Sequence, residues 1–221
     1  MHRYSEHLPC YAGVNQGYEL AVLMKHLPTH VGANILPHIS GMPAIVKADT
    51  MVTVVPFKES HINPLIEILF RLKRTIGVYP PRHDTALTVP GLRVWLIADT
   101  DALHFTALLD GNVVGHIQHT PASDALVEHF GTRDALQIGY ELGQISKLFA
   151  DPDKSHRGIG AALVETARSS CWAHVFQPSV AVDDYGHTAM RVYEDAGFTQ
   201  LGNFYGTHGH ANVFLDMNVQ S

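Results

Sequence analysis

The stretch from Asp153 to Leu163, DKSHRGIGAAL, carries residue types that can bind phosphate groups. Gly158 and Gly160 lie one residue apart, behind Arg157 and ahead of a run of helix-forming residues. Backbone N–H groups at the start of a helix have no intrahelical acceptor, and the helix dipole adds positive potential there. Glycine lets a bulky anion approach the backbone closely, and Arg157 adds charge. The stretch therefore predicts a diphosphate cradle, with a tight turn that binds nothing as the alternative.

Two better-known phosphate motifs fit this stretch poorly. A P-loop requires GxxxxGK[ST], and neither glycine is followed by Lys-Ser or Lys-Thr. A dinucleotide fingerprint requires GxGxxG directly after the first strand of the domain. Here Leu163 stands at the third glycine position, and about a hundred residues of other structure come first. The remaining interpretation is a diphosphate cradle, formed by a polar loop that follows a later strand of the domain.

Two segments around this loop resemble the hallmarks of one enzyme superfamily. The segment Leu148–Leu163 resembles the acyl-CoA-binding motif of the GNAT N-acetyltransferases, a strand, a proline-containing loop and a [Gln/Arg]-x-x-Gly-x-[Gly/Ala] turn into a helix. The segment Asp184–Phe198 is similar to the family's second hallmark, N-x-x-A-x-x-x-Y-E-x-x-G-F. Two positions depart from the pattern, since Ser155 replaces the Gln or Arg and Gly186 replaces the Asn.

The resemblance implies acetyl-CoA as co-substrate and assigns its binding residues. In the family, a bulge on the fourth strand pairs with the pantetheine arm through its backbone. The turn and the helix that follow hold the diphosphate. The residues that match these positions are Leu148, Phe149, Ala150, Ser155, His156, Arg157, Gly158, Ile159, Gly160 and Ala161.

The resemblance also implies direct transfer of an acyl group, usually acetyl, from CoA to an amine. Tyr193 stands at the tyrosine of the second motif, which makes it the expected general acid toward the CoA sulfur. The alternative is a core tyrosine on a helical stripe with Ala189 and Ala196, and both roles are compatible.

The general base is less well defined by the sequence. Relatives carry Glu or His on the fourth strand at positions that align with Gln144 and Ser146, neither of which is a base. Glu141 is the nearest carboxylate and is the base we predict, although strand alternation points Glu141 and Gln144 to opposite faces unless a bulge intervenes. His116 and His119 on the preceding strand have a suitable pKa range and remain alternatives.

The acceptor is expected to be a small-molecule amine or a peptide. The family's acceptor pocket is lined by the first helices and their loop, where Tyr79, Asp84 and Trp95 are candidate contacts. A protein acetyltransferase acting on lysines or N-termini is one alternative. A non-catalytic acyl-CoA-binding module is another, because the fourth strand lacks the usual base. The resemblance is also compatible with a homodimer, since late strands in this family often pair across dimers.

Hydrophobic periodicity predicts the elements that position these residues. An Asp-Gly turn at Asp110-Gly111 predicts a hairpin. Gly91–Ala98 fits either a short helix or an extended segment, and 121–136 reads as loop plus a helical turn. The predicted strands are Met51–Phe57, Ala102–Leu109, Val113–Thr120, Glu141–Ala150, Ser179–Asp183, Phe198–Phe204 and Asn212–Val219. The predicted helices are His61–Arg74, Gly158–Phe176 and His187–Ala196.

This order of elements predicts an α/β domain with a mixed sheet and helices packed on its faces. The resemblance implies that this domain has the GNAT fold, with a mixed, mostly antiparallel central sheet and helices on both faces. We expect the domain to span 51–221. Residues 1–50 are interrupted by proline and glycine throughout, so we expect a loosely ordered extension or a misassigned start.

Composition restricts the partners and the compartment. A net charge of −6 provides no basic field for nucleic acid or an anionic membrane. No apolar run approaches the length of a membrane span or a signal peptide. The two cysteines, far apart and outside any CxxC spacing, fit a reduced cytoplasmic protein. The sixteen histidines show no HExxH pair, so we expect no metal site.

Overall fold

The computed structural model describes residues 51–77, 88–131, 139–154, 157–183, 186–206 and 209–218. All of them belong to one compact unit, Lys47–Ser221. The predicted extension 1–50, the binding residues Ser155 and His156, and the acceptor candidates Tyr79 and Asp84 lie outside the described residues.

Seven strands, five α-helices and two short 3₁₀ helices, Glu59–His61 and Pro152–Lys154, lie in the described part of the chain. The strands are β1 Val52–Pro56, β2 Leu103–Leu109, β3 Asn112–Pro121, β4 Glu141–Ala150, β5 Phe176–Asp183, β6 Phe198–Gly206 and β7 Gly209–Asp216. The helices are α1 Ile62–Ile76, α2 Val89–Ile97, α3 Asp124–Gly131, α4 Ile159–Ala173 and α5 His187–Asp195.

The strands form a single sheet in the order β1-β2-β3-β4-β5-β7-β6. Every neighbouring pair is antiparallel except β4 and β5, which run parallel. The predicted mixed, mostly antiparallel sheet is therefore confirmed. The parallel pair follows from the connection between its strands, because β4 reaches β5 through the crossover helix α4.

The helices cover both faces of the sheet. Helices α4 and α5 pack on one face, where Leu163, Val164 and Tyr193 join strand residues such as Phe214 in a buried cluster. Helices α1 and α2 form a second cluster with Phe149. Helix α3 packs with Val213 and Leu215, which lie opposite Phe214 by strand alternation. We call these sides the α4 face and the α1 face.

The first two helices follow from local sequence signals. The predicted apolar stripe of α1 is confirmed, and the helix ends at Gly77, which adopts φ 77° and donates its N–H to the Lys73 carbonyl. For the next segment the structure decides in favour of a helix. The Thr88 hydroxyl caps α2 by accepting from the Gly91 N–H at 3.2 Å, and Pro90 occupies its first turn.

Other boundaries differ from the prediction. The predicted helix Gly158–Phe176 ends at Ala173, because β5 already begins at Phe176. Pro178 lies inside β5 rather than in a connection. It faces Gly143 of β4, while pairing with β7 begins one residue later at Ser179, so its missing N–H removes no bond to β7.

Candidate functional site

Strands β4 and β5 separate halfway along their length. Their pairing runs from Glu141 opposite Phe176 to Ile145 opposite Val180 and then ends. Beyond that point β5 pairs only with β7, and β4 continues to Ala150 paired only with β3. One edge of β4 from 146 to 150 therefore has no strand partner among the described residues. We call the space beside this edge the β4–β5 gap.

A β-bulge on β4 lies at the start of this unpaired edge. Gln118 of β3 faces Ser146 and His116 faces Phe149, so β4 contains one more residue than β3 in this interval. Lys147 takes up the extra length with φ 51°. The bulge changes the alternation of the strand, because Ile145 packs in the α4-face cluster and Phe149 packs against α1.

The backbone after the bulge presents hydrogen-bonding groups to the gap. The Asp151 N–H donates to the Val114 carbonyl of β3 at 2.8 Å. Because successive residues of a strand direct their backbone groups to opposite edges, Ala150 and, two residues earlier, Leu148 direct theirs away from β3 and into the gap. The structure thus places the predicted Leu148-Phe149-Ala150 segment at this edge, with the Phe149 side chain buried.

The N-terminus of α4 follows this edge after a short turn. Gly158 caps the helix with φ 72°, and a Cβ at this position would meet no atom within 4 Å. The first intrahelical bond runs from the Ala162 N–H to the Gly158 carbonyl at 3.0 Å. The N–H groups of Ile159, Gly160 and Ala161 therefore have no intrahelical acceptor. Arg157 is exposed immediately before them.

Gly160 has a different role from Gly158. A Cβ at Gly160 would lie 3.5 Å from a methyl group of Val192 in α5. The small residue thus lets α5 pack close to the first turn of α4, whereas Gly158 provides the left-handed backbone and the open space in front of the helix.

An ion pair that the sequence reasoning missed holds the turn between β4 and α4. Arg71 of α1 donates to both oxygens of Asp151, at 3.3 and 2.9 Å. Asp151 is almost fully buried, and its Oδ1 also accepts the Asp153 N–H at 3.1 Å. The one sequence signal was the Asp-Pro pair at the end of the predicted strand, and its partner lies 80 residues earlier.

Tyr193 lies on α5 in the α4-face cluster, which also contains Ile159 from the first turn of α4. Its side chain is 2% exposed, and its ring meets Phe198 edge-on at 5.6 Å between centroids. Burial raises the pKa of the Tyr193 hydroxyl, so the group keeps its proton at neutral pH. The predicted core packing is present, and the general-acid role stays a prediction.

Glu141 is not brought to the gap. It is the exposed first residue of β4 and faces Phe176 at the paired end of the strand. Ala150 at the other end is about 30 Å of extended chain away. The bulge that could have redirected Glu141 lies at Lys147, too far along the strand to affect it.

The alternative histidines are both buried in protein. His116 is fully buried, and neither ring nitrogen has a hydrogen-bond partner among the described residues. Its ring lies 5.5 Å from those of His104 and Phe149, and burial lowers its pKa to about 3. His119 lies near the C-terminal end of α4, where its Nε2 is 2.9 Å from Ser170 Oγ, and burial lowers its pKa to about 4.

A polar cluster on the α1 face beside the bulge was also missed from sequence. Lys147 Nζ and Gln118 Nε2 contact the same oxygen of Asp99, at 2.7 and 2.6 Å. Gln118 Nε2 is also 3.0 Å from Ser146 Oγ. Burial alone would raise the pKa of Asp99, but the hydrogen bonds from Lys147 and Gln118 outweigh it and lower that pKa. Nothing in the run Asp99-Thr-Asp101 distinguished this carboxylate from a surface residue.

Metal and membrane features complete the description. Within the described ranges, no group of three or more His, Cys, Asp or Glu side chains is arranged to hold a metal ion. No helix in that part of the chain is long and apolar enough to cross a membrane.

Solved structures share this fold. An N-acetyltransferase from Staphylococcus aureus Mu50 has a TM-score of 0.54 at 12% identity, over 76% of this chain and 100% of that chain. The aminoglycoside acetyltransferase AAC(6')-Ib in complex with coenzyme A has a TM-score of 0.57 at 21% identity, over 75% of this chain and 94% of that chain. The same enzyme with ribostamycin and coenzyme A gives 0.58 at 21% identity, over 75% of this chain and 92% of that chain.

The sequence comparison with family models agrees with the fold. No curated protein sequence matches the chain significantly. The model of the acetyltransferase (GNAT) family matches residues 66–198, which include most of α1, the β4–β5 gap, the start of α4 and Tyr193. By this match over more than half of its length, the chain belongs to the GNAT acetyltransferase family.

Proposed function

We propose that the protein is an N-acetyltransferase that transfers the acetyl group of acetyl-CoA to a primary amine of a small molecule. One observation carries the proposal: the unpaired edge of β4 leads through an anchored turn to the open N-terminus of α4. The edge offers amide partners to an extended chain, and the helix start offers N–H groups to an anion. CoA contains both parts in the same order, a pantetheine arm and a diphosphate.

The chain's own residues divide the binding of acetyl-CoA between them. Leu148 and Ala150 offer backbone groups to the pantetheine amides, and Ile159, Gly160 and Ala161 offer N–H groups to the diphosphate. The open space at Gly158 fits a bulky phosphate close to the backbone. Arg157 adds positive charge, and the diphosphate contacts predicted for Ser155 and His156 belong to the same proposal. Acetyl-CoA supplies the activated acyl group as a thioester.

In the proposed reaction, the amine nitrogen forms the amide bond while the C–S bond of the thioester breaks. Tyr193 then gives its hydroxyl proton to the leaving sulfur, the nitrogen loses its surplus proton to water, and a proton from water restores the Tyr193 hydroxyl. Burial raises the pKa of this hydroxyl, which keeps it protonated until the sulfur leaves. Backbone N–H groups after the bulge are the candidate donors to the thioester oxygen. We assign no proton transfer to Glu141, because it lies at the far end of β4.

The small-molecule acceptor is favoured by the aminoglycoside acetyltransferases among the structural neighbours, one of which is described with ribostamycin. Transfer to protein lysines or N-termini is the second candidate for the acceptor. A module that binds acyl-CoA without catalysis is the third, and the absence of a base among Gln144 and Ser146 keeps it in consideration.

Two measurements test the proposal. Acetyl-CoA alone should raise the melting temperature, because a ligand that binds only the native state stabilises it. A thiol-release assay should then show CoA release with members of a panel of small amines, aminoglycosides and lysine peptides. Release with peptides alone would favour protein acetylation. Binding without release would favour the non-catalytic module, and no binding would refute the acyl-CoA site.

A further inference from the structure

The polar cluster beside the bulge has the chemistry of an ammonium site. Lys147 Nζ lies 2.7 Å from Asp99 Oδ2 and 5.3 Å from the centroid of the Trp95 ring. A carboxylate and an aromatic face are the two groups that hold an alkylammonium in proteins. The Lys147 side chain is only 10% exposed, so its ammonium is bound here much as an amine ligand would be.

Asp99 has capacity for a further cation. Both hydrogen bonds described for its carboxylate, from Lys147 and Gln118, go to Oδ2. A carboxylate has about four acceptor positions on its two oxygens. The Asp99 side chain is 46% exposed, so an ammonium from solution can reach it. The two existing bonds fix the orientation of the carboxylate before any ligand arrives.

The cluster lies directly beside the proposed reacting edge. Lys147 immediately precedes Leu148, whose backbone groups face the β4–β5 gap. Ser146, the residue before the bulge, is linked through Gln118 to Asp99. These side chains lie on the α1 face, whereas α4 lies on the other face of the sheet. A ligand held at Asp99 would therefore approach the gap from the side opposite α4.

The length of the Lys147 side chain gives the distance between the Asp99 carboxylate and the β4 backbone beside the gap. Its four-carbon stem spans from the β4 backbone beside the gap to the Asp99 carboxylate. A ligand with two amino groups separated by a comparable alkyl chain would span the same interval. One amino group would bind Asp99 as a charged ammonium, and the other would lie at the β4–β5 gap.

We propose that Asp99 binds a distal ammonium of the acceptor, and that the preferred acceptors carry two amino groups separated by about four or five carbons. This inference rests on the proposed acetyl transfer and names the class of amine for the same site. The amine at the gap is acetylated, with the C–N bond forming and the C–S bond breaking as above. The ammonium at Asp99 is unchanged by the reaction.

The test compares matched diamines and monoamines. For the wild type, kcat/KM for 1,5-diaminopentane should exceed that for n-pentylamine roughly 10- to 100-fold, the range expected for a charge-assisted hydrogen bond. Asp99→Asn should abolish most of this preference through KM, and Asp99→Glu should restore part of it. Asp101→Asn, a change at an exposed neighbour, should leave the preference unchanged.

A second variant separates ligand binding from a structural role of the ion pair. Lys147→Met removes the same ion pair as Asp99→Asn but keeps the carboxylate, so it should retain or increase the preference for the diamine. Equal kcat/KM values for diamine and monoamine in the wild type would overturn the inference. So would equal losses in Lys147→Met and Asp99→Asn.

The affinity for acetyl-CoA, measured by calorimetry, distinguishes failure of the proposed acceptor class from failure of the proposed acetyl transfer. Acetyl-CoA binding with CoA release from other amines of the panel, but from neither 1,5-diaminopentane nor n-pentylamine, would overturn only the acceptor class proposed here. Loss of acetyl-CoA binding in the wild type would instead overturn the proposed function.

Discussion

The Arg71 guanidinium of α1 donates two hydrogen bonds to the Asp151 carboxylate at the end of β4. This contact joins a helix of the α1 face to the turn that leads into α4, and it is the one described ion pair that does so with a nearly buried carboxylate. The turn is thus held in place from outside the motif that contains it.

Removal of this ion pair should weaken acetyl-CoA binding as well as stability. We expect Asp151→Asn to lower the free energy of unfolding by about 2 kcal/mol, because a hydrogen-bonded charge is lost beside Arg71. Calorimetric titration should show a higher Kd for acetyl-CoA. Asp153→Asn is the control, because the Asp153 carboxylate is exposed and its contact with Arg71 is longer, at 3.7 Å, than that of Asp151. Equal Kd values for acetyl-CoA in Asp151→Asn and Asp153→Asn would show that the turn does not depend on the ion pair between Arg71 and Asp151.

Gly158 and Gly77 form a matched pair for testing the diphosphate cradle. Both have positive φ, 72° and 77°, and a Cβ at either position would meet no atom within 4 Å. Substitution of each by Ala should therefore lower stability by a similar amount, about 1 kcal/mol. Only Gly158→Ala should also raise the Kd for acetyl-CoA, because only its Cβ would occupy phosphate space. An equal effect on Kd in the two variants would argue against the cradle.

Tyr193→Phe tests the general acid. Phenylalanine fits the same apolar surroundings, so the melting temperature and the Kd for acetyl-CoA should change little. Turnover at saturating acetyl-CoA should fall roughly 10²- to 10⁴-fold if the hydroxyl protonates the sulfur. Tyr140→Phe is the control, because Tyr140 packs against Trp172 beside the start of β4. Unchanged turnover in Tyr193→Phe would remove the residue from the mechanism.

Stability should fall in mild acid because of the buried histidines. Burial lowers the pKa of His116 to about 3 and of His119 to about 4, from 6.5. Below pH 6.5 the unfolded chain therefore binds more protons than the folded one, and stability decreases as the pH falls toward these values. The slope is up to about 1.4 kcal/mol per pH unit for each histidine.

His116→Phe keeps an aromatic ring in this position and removes one of the described histidines whose pKa is lowered in the folded state, a group that also includes His61, His104 and His119. Denaturant unfolding between pH 7 and pH 4.5 should show a shallower loss of stability than in the wild type. The exposed His187 provides the comparison, and His187→Gln should retain the full slope. A slope unaffected by His116→Phe would mean that His116 does not limit acid stability.

Local signals were sufficient to predict much of the fold. The apolar stripe of α1, the Asp-Gly hairpin and the two hallmark motifs each involve residues close in sequence. The hairpin is confirmed, with Asp110 and Gly111 both at positive φ. Helix α3 was only partly foreseen, because its buried residues Leu126 and Phe130 are few and polar residues surround them.

The site was predicted less completely, for the same physical reason. Asp99 lies in the loop after α2, Gln118 in β3 and Lys147 in β4, and the three meet only once the sheet has formed. Glu141 was chosen by its nearness to Gln144 along the chain. Position along a strand, which decides whether a residue lies at the paired or the separated end, depends on where β5 stops pairing.

Because Lys147 is an extra residue in β4, the alternation of side chains between the α4 face and the α1 face shifts by one position there. Ile145 and Phe149 are four residues apart and would share a face in a regular strand, yet they belong to different cores. A saturation scan of β4 should therefore show its pattern of tolerated polar substitutions shifting by one position at Lys147. Because Lys147 is the extra residue, its deletion would leave a regular strand with Phe149 still on the α1 face, whereas insertion of one more residue beside it would turn Phe149 and everything after it to the wrong side.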